Sequence, residues 1–195
     1  MAVRILAFAG SLRRDSYNKK LARVAAESAR RAGAEVTLLD LRDHPLPIYD
    51  GDAEAESGVP EVAMQLKRIF HEHDGLLIAS PEYNSGYSGV LKNTIDWVSR
   101  PVAGEAPLGA FTGKVAGLIS ASPGALGGLR GLFALRELLQ NIQVMVLPEL
   151  LAVSKAHEAF TAEGGLKETR EQQQLERICT RLVQTLAKLR STKET

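Results

Sequence analysis

The stretch VRILAFAGSLRRDSYN, Val3 to Asn18, holds a strand, a turn and the start of a helix in consecutive order. Val3 to Ala9 is an apolar run broken once, by Arg4, as a strand buried on both faces requires. Tyr17, Leu21, Val24 and Ser28 then recur at spacings of four, three and four, which is one face of a helix. The turn between them is not the usual glycine and proline. It carries Ser11, Arg13, Arg14, Ser16 and Asn18 around a single glycine, Gly10.

The pattern of strand, turn and helix repeats outward from there. Gly33 stops the first helix, and Ala34 to Leu41 reads as the second strand. RDHPLPIYDGDAEAESG, with Pro45, Pro47, Gly51 and Gly58, reads as a loop. Pro60 opens a second helix with Val62, Leu66, Ile69 and Phe70 on one face. Asp74 to Ser80 is the third strand, PEYNSGYSG a loop, and Val90 to Ser99 the third helix. Gly113 to Ser122 is the fourth strand, followed by the glycine-rich PGALGG and a helix over Leu129 to Asn141. QVMVL is the fifth strand, and PELLAVSKAHEAFTAEGG reads as irregular. Leu175, Ile178, Cys179, Leu182, Leu186 and Leu189 form the stripe of a final helix.

Apolar strands alternating with helices imply an α/β fold with a parallel sheet covered on both faces. Right-handed crossovers leave few topologies, and the expected one is a flavodoxin-like, doubly wound, three-layer sandwich with strand order 2-1-3-4-5. One domain over residues 1–195 is expected, since nothing in the chain reads as a linker. Such a sheet binds its ligand beyond the carboxyl ends of the strands, where the order reverses between strands 1 and 3. The chemically rich loops follow strands 1, 3 and 4, while the turns at the opposite edge are plain.

The bulk numbers narrow the function. The 24 basic and 23 acidic residues leave a formal charge of +1, with no basic excess of the kind that nucleic acid demands. The single cysteine, Cys179, excludes a disulfide framework and a cysteine zinc site. The opening apolar run is too short for a membrane span and lacks the basic lead of a signal peptide, so a cytoplasmic protein is expected.

Each rich loop has a chemical reading. In the first, a helix N-terminus offers unpaired N–H groups, Ser11, Ser16 and Asn18 add donors, and an arginine offers a planar fork. These suit the terminal phosphate of a mononucleotide. The loop has neither the G-x-G-x-x-G of a dinucleotide site nor a P-loop lysine. Asp15 is expected to face away. In the second, Pro81, Tyr83, Asn84, Ser85 and Gly86 suit a flat heteroaromatic ring with polar edges. Ser120, Ser122, Gly124, Gly127 and Gly128 are expected to form a third wall. His44, His71, His73 and His157 lie outside all three loops and read as surface or loop residues, and Cys179 as core.

The two motifs GSLRRDSYN and PEYNSGYSGVLKNTIDW resemble those of the NADPH-dependent FMN reductase family, which includes chromate, quinone and azo-dye reductases. Gly10, Ser11, Leu12, Arg13, Ser16 and Asn18 match the first, as do Pro81 to Asn84, Gly89, Leu91 to Asn93 and Ile95 to Trp97 the second. LPIYD, Leu46 to Asp50, resembles a third shared segment. Ser88 stands where the family usually has proline, a change expected to loosen the loop, and Thr94 where alanine is common.

The resemblance implies an FMN-dependent NAD(P)H oxidoreductase. Ser11, Arg13, Ser16 and Asn18 would grip the FMN phosphate. Pro81, Glu82, Tyr83, Asn84 and Ser85 would line the ring, mainly through backbone groups, with Ser122 on the strand-4 side. NADPH, with NADH as the alternative donor, would pass a hydride to N5 in ping-pong order, and quinone-type, azo or metal-ion acceptors would follow, with no dedicated catalytic side chain. Family members form dimers or dimer pairs, so a homodimer or homotetramer is implied, with Tyr49 and Asp50 reaching a neighbour's pocket. The rival is a flavodoxin-like electron carrier that binds FMN without NAD(P)H turnover. Such carriers are usually acidic, unlike this chain.

Overall fold

The computed structural model describes residues 2–193. Strands β1 (Arg4–Ala9), β2 (Glu35–Leu39), β3 (Gly75–Ala79), β4 (Val115–Ala121) and β5 (Met145–Val153) form one parallel sheet in the order β2-β1-β3-β4-β5. This is the expected flavodoxin-like order. Helices α1 (Tyr17–Arg31) and α6 (Thr169–Lys193) cover one face. Helices α3 (Glu61–His71), α4 (Gly89–Val98) and α5 (Leu129–Asn141) cover the other.

The alternation of a strand explains both layers at once. Ile5, Ala7 and Ala9 of β1 pack under α1 and α6, while Leu6 and Phe8 pack against the opposite layer. The contact face of α1 is almost all alanine (Ala22, Ala25, Ala26 and Ala29, each at most 1 % exposed), which lets the helix axis lie close to the sheet. Phe8, Phe70 and Phe111 fill the other side with tilted and edge-on ring pairs 5.7 and 5.5 Å apart.

Two segments differ from the sequence reading. The loop over residues 42–58 contains a short helix, α2 (Gly51–Ser57), because Asp50 accepts from the Asp52 amide and caps it. A 3-10 turn over Leu41–Asp43 precedes it, capped in the same way by Asp40. The fifth strand does not end at Leu147 but runs through Pro148 to Val153. Proline is tolerated here because β5 is an edge strand, and the register against β4 shifts between Ala116 and Leu118.

Both edges are bonded by side chains. Arg136 of α5 donates to the Leu147 and Pro148 carbonyls at 3.2 and 2.9 Å, and Gln174 of α6 donates to Leu150 O at 2.7 Å. On the far edge, Arg30 donates to Val36 O at 2.8 Å.

Cys179 sits on the buried stripe of α6, its Sγ 3.5 Å from Ala25 O of α1. Burial pushes its thiol up to about 12, only partly opposed by Arg31. The native thiol is therefore expected to resist alkylation at about pH 8 and to react only after unfolding. Equal labelling rates with and without denaturant would show that α6 does not dock against α1 in this way.

Candidate functional site

Three loops meet at the carboxyl ends of the strands. They follow β1, β3 and β4, and they enclose a trough of about 60 Å³. Ser11, Arg13, Ser16, Tyr17 and Asn18 line it from the first loop and the start of α1. Pro81, Glu82 and Tyr83 line it from the second, and Ala121, Ser122 and Pro123 from the third. Eight of the ten residues singled out from the sequence therefore meet here; Asn84 and Ser85 do not line the trough.

The helix start is built for an acceptor. Ser16 caps α1 and accepts from the Lys19 amide at 3.4 Å. The first bond of the helix runs from Lys20 N to Ser16 O, so the Tyr17 and Asn18 amides precede the ladder. Ser11 Oγ accepts from Arg13 N at 3.3 Å, and Ser122 Oγ from Gly124 N at 3.3 Å. A hydroxyl that accepts from an amide keeps its own proton for another partner. Ser28, Ser80, Ser88, Thr94 and Ser99, which do not line the trough, each donate to a backbone carbonyl.

Charge in the trough fits the same purpose. The Arg13 side chain is exposed and makes no bond among the described residues, and Asp15 is exposed, as expected. The one carboxylate that lines the trough is already neutralised. The Glu82 side chain is only 8 % exposed; it takes Arg130 Nε and Nη2 at 2.9 and 2.6 Å and the Gly131 amide at 3.1 Å. Burial alone would raise its carboxyl. The Gly131 amide and the Arg130 guanidinium outweigh burial and hold it below its ordinary value of 4.5.

Asn18 has a different role from a free donor. Its Nδ2 donates to Ala121 O and its Oδ1 accepts from Ala121 N, both at 2.9 Å. The amide ties the floor of the trough to the last residue of β4 and keeps a second Nδ2 hydrogen beyond the one given to Ala121 O. Lys19 beside it is buried and pairs with Asp40 at 2.7 Å, tying the same helix turn to the end of β2.

The strand-3 loop is a tight hairpin. Tyr83 and Gly86 exchange amide bonds at 2.9 and 3.0 Å, with Asn84 (φ 51°) and Ser85 (φ 67°) at its tip. Positive φ at both central residues is the type I′ arrangement, and serine there is strained. The turn leaves the Tyr83 ring 53 % exposed at the rim of the trough.

Other expectations need correction. The third wall is narrower than expected. Ser120 is fully buried beneath its loop, and Gly127 and Gly128 are there for packing. A Cβ on Gly127 would lie 2.6 Å from the Ala152 carbonyl carbon, and one on Gly128 2.0 Å from Ser120 Oγ. Ser88 does not loosen its loop: it is buried, caps α4, and donates to Gly10 O at 2.6 Å. His73 is a loop residue, as expected, but a buried one: its ring lies between Ile69 O (2.6 Å) and Thr37 Oγ1 (2.7 Å).

The LPIYD segment is strapped to α4. Asn93 accepts from Tyr49 N at 2.8 Å and donates to Pro47 O, which also accepts from Trp97 Nε1 at 2.8 Å. The Tyr49 ring stands edge-on to Trp97, and its hydroxyl donates to Glu54. The two motifs read separately in the sequence therefore hold each other.

A larger concavity of about 710 Å³ lies along α6 beside Glu149, but it is far from the strand ends and shares no residue with the three loops.

Residues 3–158 match the family model described as NADPH-dependent FMN reductase. The chain is 36 % identical over 182 residues to an NAD(P)H-dependent FMN reductase of Pseudomonas aeruginosa, covering 90 % of this chain and 93 % of that one. A quinone reductase of Pseudomonas putida is 38 % identical over 142 residues, 72 % of each chain. Among solved structures, FerB of Paracoccus denitrificans, a flavoenzyme NAD(P)H:(acceptor) oxidoreductase, superposes with a TM-score of 0.81 at 31 % identity, covering 96 % of this chain and 98 % of that one.

The Glu82 lock makes a pH prediction. Its folded value is depressed, so its contribution is complete above 4.5 and is lost as pH falls through the folded value. The wild-type melting temperature is expected to fall more steeply on acidification than that of Glu82→Gln, which has no such carboxylate to protonate. Equal acid slopes would show that the lock contributes nothing.

Proposed function

The chain belongs to the NADPH-dependent FMN reductase family, and we propose that it is an FMN-dependent NAD(P)H oxidoreductase acting on quinone-type acceptors. Azo and metal-ion acceptors are further substrates of the same site in this reading. The observation that carries it is the trough itself: three serine hydroxyls that accept but do not donate, an unpaired arginine, and a single carboxylate already neutralised.

That donor set fits the dianionic end of FMN. Ser11 and Ser16 donate through their hydroxyls, Tyr17 and Asn18 through their amides, and Arg13 closes over the phosphate with its guanidinium. The Asn18 side chain also holds β4, which fixes where its amide and its second Nδ2 hydrogen are presented. The trough, about 60 Å³, would hold the phosphate end, and the residues at its rim would hold the ring. There Tyr83 gives a flat exposed face. Pro81, Glu82, Asn84 and Ser85 present backbone groups, and Ser122 closes the strand-4 side.

Bound FMN would supply the hydride-transfer chemistry, at N5, between NADPH or NADH and the acceptor. The chain's part is to hold and orient. An open rim admits donor and acceptor in turn, which supports a ping-pong order. The exposed apolar residues Leu12, Tyr83, Leu126 and Phe133 support a homodimer or homotetramer that shields this rim. In this reading Tyr49 and Asp50, beside Ile48 (82 % exposed) on the strapped segment, would reach a neighbour's pocket. No described helix is long and apolar enough to cross a membrane. The proposed setting is the cytoplasm, and the functional unit is one domain over residues 1–195.

The purified protein is expected to be yellow, and anaerobic NADPH is expected to bleach it. Colourless protein that FMN does not reconstitute would overturn the reading, and yellow protein that NADPH leaves unbleached would point to the electron carrier. Arg13→Ala is expected to weaken FMN binding roughly tenfold to a hundredfold, as loss of a charge-assisted pair would. Unchanged retention would place the phosphate elsewhere.

A further inference from the structure

Ser88 does something that the trough does not explain. It is 3 % exposed, yet lies outside the trough lining. Its Oγ donates to Gly10 O at 2.6 Å, across 78 residues of sequence, and accepts from Leu91 N at 3.3 Å. Gly10 is also held from the other side, where its amide donates to Ala79 O at 3.0 Å. The first residue of the strand-1 loop is thus clamped between the end of β3 and the start of α4.

The strand-3 loop lies between those two points. Its far shoulder is Ser88, bonded to the strand-1 loop. Its near shoulder is Glu82, bonded to Arg130 and Gly131 at the start of α5. The Tyr83–Gly86 hairpin therefore projects from a base pinned on both sides. At Ser88 the backbone has φ −70° and ψ 150°, which proline would also adopt. Proline here would fit the backbone but could not donate, whereas serine adds a bond between the two loops.

We propose that Ser88 is a positioning residue that fixes the span between the phosphate trough and the ring-bearing hairpin, so that both ends of FMN are engaged at once. The inference rests on the FMN reading above. A ligand held at two points gains from the second only if the points keep the separation it needs. The second contact then acts as an intramolecular event, and its effective concentration falls when the span fluctuates. Ser88 thus acts on the coupling between the two ends, more than on either end alone.

The test is to titrate flavin-stripped, full-length protein with FMN and with riboflavin, which lacks the phosphate, and to follow flavin fluorescence. In Ser88→Ala the FMN Kd is expected to rise about fivefold to tenfold, the size of one lost hydrogen bond, while the riboflavin Kd stays within about twofold. The preference for FMN therefore narrows. Ser88→Cys keeps the volume but offers only a weak S–H donor, and is expected to narrow the preference equally. A wild-type FMN-to-riboflavin ratio in Ser88→Ala, whether both affinities hold or both weaken together, would overturn the inference. So would a wild-type ratio in Ser88→Cys, since packing and not the bond would then be responsible. Wild-type protein that binds riboflavin as tightly as FMN would overturn the phosphate reading itself, and the inference with it.

Discussion

One side-chain amide joins the first turn of α1 to the last residue of β4. Asn18 bonds both the N–H and the C=O of Ala121, across the strand that separates β1 from β4 in the sheet. A buried donor or acceptor left without its partner costs about 1–3 kcal/mol, and here two backbone groups depend on a single side chain. The helix start, the floor of the trough and the beginning of the strand-4 loop all take their places from this pair of bonds. Asn18 thereby ties the loop that carries Ser11 and Ser16 to the one that carries Ser122.

Most of the architecture was legible from periodicity. Strands with apolar residues on both faces and helices with one apolar stripe admit few arrangements, and the observed strand order is the expected one. What escaped was decided by single contacts. The helix Gly51–Ser57 depends on one capping aspartate in a segment crowded with turn residues. The continuation of β5 past Pro148 depends on its being an edge, which only the assembled sheet reveals.

The site was legible in a different way. The motifs located the loops, but residue type alone did not separate hydroxyls that face a ligand from those that hold the backbone. Ser120 read as part of the third wall and is fully buried, while Asn18 lines the trough and also holds β4. Ser88 read as a weak point and is a clamp. Gly127 and Gly128 read as room for a ligand, whereas the space beside them is filled by β5 and by Ser120. In each case the deciding fact is a partner distant in sequence, which no local pattern encodes.

The bonded edges of the sheet have a consequence for assembly. Arg30, Arg136 and Gln174 already occupy the carbonyls of Val36, Leu147, Pro148 and Leu150 that an incoming strand would need as acceptors. Sheet extension is thus opposed at both edges, most fully along β5, where three carbonyls are already taken. An assembly that avoids it would use helix faces or the loops at the strand ends, and those loops line the candidate site.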